Sequence, residues 1–437
     1  MLKVISFINS SLWSWFFLPC TLVCGFILSV RLRGIQFRKL PDALRLPFIS
    51  SSADGGGISS AEAASTALAS TVGTGNVIGT AQAIAMGGVG AVFWMWVAAA
   101  LAMVIKYAEI YYTLHFRNPE RSGGPMQYIE KALGKGGAVF YAACAVGASL
   151  GMGCMVQANG CVCAFMSAVG LYVQLSAKQA ALIRIAFGIL LSTALILILS
   201  GGIKTVGKAS EKLVPLMSIG FIILCIAVLA VKANAVIPAF SAIFSGAFSP
   251  RAEVGGAMGA CIQWGLRRGA FSNEAGLGSA GLAHAGVLNE PSKEALWGIF
   301  EVFADTVVIC SAVALVILCS GCSIPYGTSP GAELMAEALG CVFRGKTAVV
   351  LFSASLVLFA FTSILGWSAY TQLCAKYLFG FKAMPLCIIL TSCAAFFGTV
   401  MQIETVWIFA DLFNVLMSVP NYLALFVLTC RYDIKST

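Results

Sequence analysis

The chain has 437 residues, 59% of them hydrophobic and 10% charged, with a formal net charge of +9 and a mean hydropathy of +0.92. This composition excludes a soluble globular domain and describes an all-α polytopic membrane protein whose surroundings are a lipid bilayer. The basic residues sit in short loops rather than on a solvated domain, so the charge points to a cytoplasmic loop bias and not to nucleic acid.

Leu12 to Val30 is the first predicted span, about 28 Å long at helical rise, with Trp13 and Trp15 as interface anchors at one end and Arg31 and Arg33 at the other. Its apolar run is longer than that of a signal peptide, and no small-residue cleavage site follows. The loop carrying Arg31, Arg33, Arg38, Lys39 and Arg45 is then cytoplasmic and the N-terminus lies outside.

Ser59, with Glu62 three residues on, reads as a capping box that starts the second span. This segment is apolar enough to cross, yet its centre, Thr71-Val72-Gly73-Thr74-Gly75-Asn76, is rich in glycine and polar side chains. Glycine costs a helix about 1 kcal/mol against alanine, and polar groups in hydrocarbon need partners or a cavity. A helix broken at mid-membrane is expected here, its freed backbone facing a small polar or ionic ligand.

Val92 to Leu114 returns, with Phe93, Trp94 and Trp96 as an outer aromatic belt and Lys106 and Glu109 spaced to pair on one face. It leads to a loop holding His115, Arg117, Arg121, Lys131 and Lys135. Gly137 to Val169 carries Gln157 and Asn159 in an apolar, glycine-rich helix, either as ligands or as interhelical hydrogen bonders. Ala180 to Ser200 goes in, Lys204, Lys208 and Lys212 face the cytoplasm, and Val214 to Val231 goes out. Ala235 to Pro250 is too short and broken to span, which makes it an external interfacial segment.

Ala257 to Ala285 repeats the pattern of an interrupted apolar run, with the interruption expected at Gly265 to Glu274. Asn289 to Glu294 is the next inner loop. Leu296 to Cys319 follows with Glu301 and Asp305 four residues apart, placed either to answer Arg267 and Arg268 or to carry protons. Gly331 to Leu339 is a short external amphipathic helix. Lys346 to Leu378, Ala383 to Met401 and Val406 to Cys430 complete the spans, and Arg431 and Lys435 put the C-terminus in the cytoplasm.

The sum is about eleven spans, one leading helix plus ten. The organisation reads as residues 1–57 for the leading helix and basic loop, 58–232 for a first five-helix repeat, 233–251 for the external segment and 252–437 for a second repeat. With an odd number of spans in each half and a broken span first in both, the halves have opposite orientation, an inverted repeat.

A half-helix N-terminus suits a carboxylate and freed carbonyls suit a cation. In the first break the amides of Gly73 to Asn76 are the carboxylate side, and the carbonyls of Ala69 and Val72 the cation side. Thr362 and Ser363 offer hydroxyls to a sodium shell, or bond back to their own helix. Phe271, Ser272, Asn273 and Glu274 offer a wall and polar contacts for an amino group, with Trp367 as an apolar lid. Sixteen cysteines sit mostly in apolar runs, the one Cys319/Cys322 pair lacks a second pair, and neither His115 nor His284 belongs to a nucleophile or metal constellation. The chain therefore does not read as an enzyme, and no cofactor or obligate protein partner is implied.

The runs Thr71 to Trp96, Gly123 to Gly134, Gln157 to Asn159, Arg267 to Ala280 and Phe361 to Tyr370 together resemble the alanine or glycine:cation symporter family over nearly the whole chain. The resemblance implies a leucine-transporter-type 5+5 inverted repeat plus one leading helix, in the inner membrane of a prokaryote, with uptake of alanine or glycine coupled to sodium ions. By motif it implies a substrate site at Thr71, Gly73, Thr74, Gly75, Asn76, Gln157, Phe271, Ser272, Asn273, Ser363 and Trp367, and sodium near Ala69, Val72, Thr362 and Ser363. Where the family pattern leads one to expect prolines, this chain has Val89 and Gly281. Proton coupling through Glu274, Glu301 or Asp305 is the alternative within the same class, and a channel is the alternative outside it.

Overall fold

The computed structural model describes residues 8–48, 57–118, 123–248, 258–343, 345–401 and 404–434. Ala257, the last two residues of the expected external segment, Arg121 and Lys435 lie outside the described residues.

Nine helices among the described residues are long and apolar enough to cross a membrane. They are α1 (Ile8–Arg31), α4 (Ala91–His115), α6 (Lys135–Gly170), α7 (Ala177–Ser200), α8 (Lys204–Val231), α12 (Pro291–Ser320), α14 (Thr347–Phe379), α15 (Phe381–Val400) and α16 (Ala410–Arg431). The two interrupted elements stand apart because each is split into pieces: α2 (Ser60–Thr71) with α3 (Thr74–Gly87), and α10 (Met258–Asn273) with the short α11 (Ser279–Ala283). Short helices α5 (Pro125–Leu133), α9 (Ala233–Ala247) and α13 (Glu333–Val342) lie between the spans. The described residues form no strand, only an isolated parallel bridge between Ile58 and Val287.

The expected capping box starts α2: Glu62 N donates to Ser59 Oγ at 3.1 Å and Ser59 N to Glu62 Oε2 at 2.9 Å. Each interrupted element is followed by a long helix, α4 or α12, and these two pack on each other and on α10. Close approach comes from small residues. A methyl on Gly265 would meet Trp94 Cβ at 2.6 Å, and one on Gly269 would meet Ala98 Cβ at 2.9 Å. Gly281 likewise sits hard against Thr113 and Pro125, so the position where a proline was expected is a close-packing contact here.

That packing corrects the second interruption. Gly265 and Gly269 lie within an unbroken α10, where the facing α4 backbone occupies the space a side chain would need. The chain breaks later, from Glu274 to Gly278, with positive φ at Glu274 (57°), Gly276 (90°) and Gly278 (76°).

Trp13 is also corrected. It is only 1% exposed while Trp15 is 84% exposed, so one of the two expected anchors points into the protein. Trp13 sits in a π-helical turn, Trp13–Phe17, its ring 4.5 Å from that of Phe17 and 5.9 Å from that of Phe271. Further π turns interrupt α6 at Ser149–Val156 and α12 at Phe303–Cys310. Such turns re-aim side chains inside a helix and recur at functional sites.

Candidate functional site

The first break is built by two extended residues. Val72 (φ −77°, ψ 95°) and Gly73 (φ −144°, ψ −163°) leave the helical region, and α3 restarts at Thr74. Asn76 holds the restart by accepting the Gly73 amide on Oδ1 at 2.9 Å. Gly73 is small because Ser363 is behind it: a methyl there would lie 2.6 Å from Ser363 Oγ. Ser363 Oγ donates to Phe359 O at 3.0 Å and lies 3.5 Å from Val72 O. Thr362 faces elsewhere, its Oγ1 within 3.2 Å of Met217 Sδ and 3.0 Å of the Leu358 carbonyl of its own helix. The structure thus sets Ser363, and not Thr362, against Val72. Ala69 is fully buried in α2.

The second break is held from outside. Glu109 Oε1 accepts the amides of Gly276 and Gly278 at 2.9 and 3.0 Å, and Asn421 Nδ2 at 2.7 Å. Tyr141 OH donates to Leu277 O at 3.0 Å. Asn273 turns inward on this break, taking the Ala275 amide at 3.1 Å and donating to Gly269 O at 2.7 Å.

Between the breaks lies a small chamber of about 20 Å³, room for about one water. Thr71, Gly73, Gly75, Gln157, Phe271, Ser272 and Trp367, all singled out from the sequence, line it. Thr74, Asn76, Asn273 and Ser363 stand behind the lining: Thr74 Oγ1 donates to Gln157 Oε1 at 2.9 Å, and Asn76 Nδ2 to Ser272 Oγ at 2.9 Å. Sequence reasoning missed Ser70, Met152, Asn414, Trp13 and Phe17 in the wall. Of these, Asn414 carried a signal, as a polar side chain inside an apolar run. Glu274, named earlier for an amino group, does reach the chamber, 3.5 Å from Ser70 Oγ, which shares a 2.9 Å bond with Tyr370 OH.

The charged residues pair differently from their sequence spacing. Lys106 does not pair with Glu109; its Nζ lies 3.1 Å from Glu301 Oε2 across the α4–α12 contact, while Glu109 caps the second break. Glu301 and Asp305 do not answer the arginines either. Asp305 accepts Asn76 Nδ2 at 2.6 Å, Ser272 Oγ at 2.7 Å and Thr306 Oγ1 at 2.9 Å. Arg267 lies 3.6 Å from Asp411 and covers the Trp13 ring at 5.4 Å, and Arg268 covers the rings of Trp264 at 5.2 Å and Phe271 at 5.8 Å. The physical reason is the same throughout: neighbours on one helix face the adjoining helices, and those supply closer partners. His284, set aside from the sequence, lies buried between Glu294 and Glu301.

Two helices interrupted at a shared buried chamber, inside a bundle of membrane-crossing helices, define a multi-pass membrane transporter of the discontinuous-helix kind. The chain belongs to the sodium:alanine symporter family, whose model matches residues 1–433; the family is one of symporters, not enzymes. It is 36% identical to the sodium/alanine symporter AgcS of Methanococcus maripaludis, over 98% of this chain and 94% of that one. It is 32% identical to the probable sodium/glutamine symporter GlnT of Bacillus subtilis, over 98% of this chain and 88% of that one. Among solved structures it superposes on MhsT in complex with L-phenylalanine with a TM-score of 0.61, at 14% identity, covering 82% of this chain and 87% of that one. That likeness shows the fold, which is of the leucine-transporter type.

Proposed function

We propose that this chain imports alanine or glycine together with sodium by alternating access. The observation that carries the choice of substrate is the chamber wall: Phe271 and Trp367 close on Gly73 and Gly75 and leave room for about one water, so the chamber must open for any amino acid and opens least for a small one. A larger side chain, such as the glutamine named for one relative, would have to displace Trp367 or Phe271, whereas a methyl or hydrogen needs only a small opening.

In this reading the amides at Thr74 and Gly75 take the substrate carboxylate at the start of α3, the Gly73 amide being held by Asn76 Oδ1. Gln157, Ser272 and Thr71 supply polar contacts, and Phe271 and Trp367 close over the small side chain. Asn76, Asn273 and Thr74 hold the breaks in shape through the bonds given above. Sodium is a co-substrate here, its oxygen shell built from the Val72 and Ala69 carbonyls and Ser363 Oγ, with Thr362 joining only after its hydroxyl turns from Met217. The two interrupted elements bring the spans to about eleven, in repeats over 58–232 and 252–437, with the N-terminus outside and the C-terminus cytoplasmic on the loop-charge rule.

Uptake of radiolabelled alanine into proteoliposomes, with an inward sodium gradient or with choline at fixed pH and potential, tests this. Accumulation only with sodium supports it. Accumulation driven by a proton gradient without sodium overturns the sodium assignment and turns attention to Glu274 and Asp305.

A further inference from the structure

The ends of both interrupted helices farthest from the chamber meet in one buried chain of charges that the chamber does not use. His284 follows α11, and its Nδ1 lies 2.6 Å from Glu294 Oε1 and its Nε2 2.8 Å from Glu301 Oε1. Ser60, the first residue of α2, donates to Glu294 Oε2 at 2.6 Å, and Asn289 Nδ2 does so at 3.0 Å. Glu301 is also paired with Lys106 on α4. The side chains of His284, Glu294 and Glu301 are 0% exposed and that of Lys106 is 1% exposed.

Hydrogen-bond capacity fixes the proton count. A carboxylate only accepts, while a neutral imidazole has one N–H and one lone pair. With carboxylate oxygens at both ring nitrogens, a neutral His284 would set one lone pair against another at under 3 Å. The imidazolium fills both positions. Charge gives the same answer: Lys106 and His284 as cations against Glu294 and Glu301 as anions sum to zero, and removing one proton leaves an uncompensated buried carboxylate. Near the cluster, among the described residues, other polar groups bond to the backbone or to each other. Tyr107 OH donates to Ser292 O at 3.4 Å, Arg117 Nη1 to Val287 O at 2.6 Å, and Ser292 Oγ to Glu290 Oε1 at 2.8 Å.

We propose that His284, held as an imidazolium between Glu294 and Glu301, is a proton-binding latch that keeps the Ser60 end of α2 and the tail of α11 closed onto α12. Ser60 reaches the cluster through Glu294, and the Ile58–Val287 bridge closes the same end. When this end parts, water reaches the ring, which then releases its proton as an ordinary imidazole does near about pH 6.5. The closed form binds the proton more tightly than the open one. By linkage, acid on this side favours the closed form and slows discharge of substrate there. The inference rests on the import reading and on the orientation proposed above, in which this end faces the cytoplasm.

The test uses right-side-out vesicles from expressing cells, with a fixed inward sodium gradient and the pH set separately in lumen and bath. Alanine uptake is expected to be about threefold to tenfold slower with the lumen at about pH 5.5 than at about pH 7.5, either side of the free imidazole value. The bath pH should have no such effect, and His284→Gln should abolish the lumen dependence. Lumen dependence that survives in His284→Gln overturns the latch. A dependence on bath pH that His284→Gln removes keeps the latch and overturns the orientation. Imidazole ¹⁵N spectra of the His115→Gln variant, in which His284 is the only histidine left, give a readout independent of transport and of the variant at 284. Both ring nitrogens should be protonated near neutral pH, and a spectrum with one bare nitrogen overturns the proposal even if alanine proves not to be the substrate.

Discussion

Asn76 donates from Nδ2 to Asp305 Oδ1 at 2.6 Å, joining the restarted half of the first interrupted helix to the π turn of α12. Ser272 Oγ, at the end of α10, donates to the other oxygen of the same carboxylate at 2.7 Å. One buried side chain therefore ties both breaks together.

Asp305→Asn should weaken that tie. A carboxamide keeps one acceptor and presents an NH₂ to the donors of Asn76 or Ser272. Hydrogen bonds to a charged group contribute about 1.5–3 kcal/mol each, so a stability loss of about that size is expected in thermal unfolding of the purified protein. Sodium-driven uptake should fall about tenfold or more, the equivalent of about 1.4 kcal/mol. Unchanged stability and uptake would show that the two breaks are fixed by other contacts.

Gly73→Ala places a methyl 2.6 Å from Ser363 Oγ and 3.4 Å from Gln157 Oε1. Ser363 Oγ is held by Phe359 O, so either that bond is given up or the break shifts, with a loss of about 1–3 kcal/mol. The Cβ of Ser363 would lie at 3.6 Å, an ordinary contact. Ser363→Ala should therefore recover most of the lost stability of Gly73→Ala in a double-mutant cycle, although it cannot restore a sodium shell that uses the hydroxyl. Additive losses in the cycle would place the clash somewhere else.

The first break was legible in the sequence because its signals are local: Gly73 and Gly75 forgo helix propensity, and Asn76 can cap a restart three residues after Gly73. The second was misplaced because Gly265 and Gly269 carry the same letters for a different reason, an approach to Ala91, Trp94, Met95 and Ala98 that only the packed structure displays. The charges were misread in the same way. Spacing along α4 makes Lys106 and Glu109 look like partners, yet α12 packs so near α4 that a methyl on Gly298 would lie 3.1 Å from Lys106 Cβ, and that closeness gives Lys106 to Glu301. Thr71, Gly73, Gly75, Phe271 and Ser272 on the interrupted helices could be found by composition, whereas Trp13 on the leading helix could not, since its inward turn depends on the π turn it sits in.

Glu109 is the clearest case of a residue that shapes the site without lining it. Its Oε1 receives three donors, and its buried Oε2 has no hydrogen-bond partner among the described residues. In Glu109→Gln the amide oxygen can keep all three donors, so the fold should be retained with a loss of about 1–3 kcal/mol from the newly buried NH₂. Glu109→Ala strands the amides of Gly276 and Gly278 as well, and a loss of about 3–5 kcal/mol is expected. Chemical unfolding of the two variants in the same detergent checks the order; equal losses would mean that the carboxylate does not support the second break.

In the proposed binding mode Trp367 sets the room for the substrate side chain. It is only 2% exposed, its carbonyl accepts Ser149 Oγ at 2.6 Å, and a methyl on Gly153 would overlap its side chain, so α6 holds the indole firmly in the chamber wall. The chamber's present volume of about 20 Å³ is then a property of this wall, and a smaller ring should enlarge it. Trp367→Phe is expected to raise the KM for alanine about tenfold, because the methyl loses a contact of roughly 1–2 kcal/mol, and to admit larger apolar amino acids. Competition of valine and leucine against labelled alanine, measured with a constant sodium gradient, reads this directly. Inhibition by valine that appears only in Trp367→Phe places the indole against the substrate side chain; the same selectivity in both proteins would mean that the substrate binds away from Trp367 and that Phe271 or Met152 bounds its side chain instead.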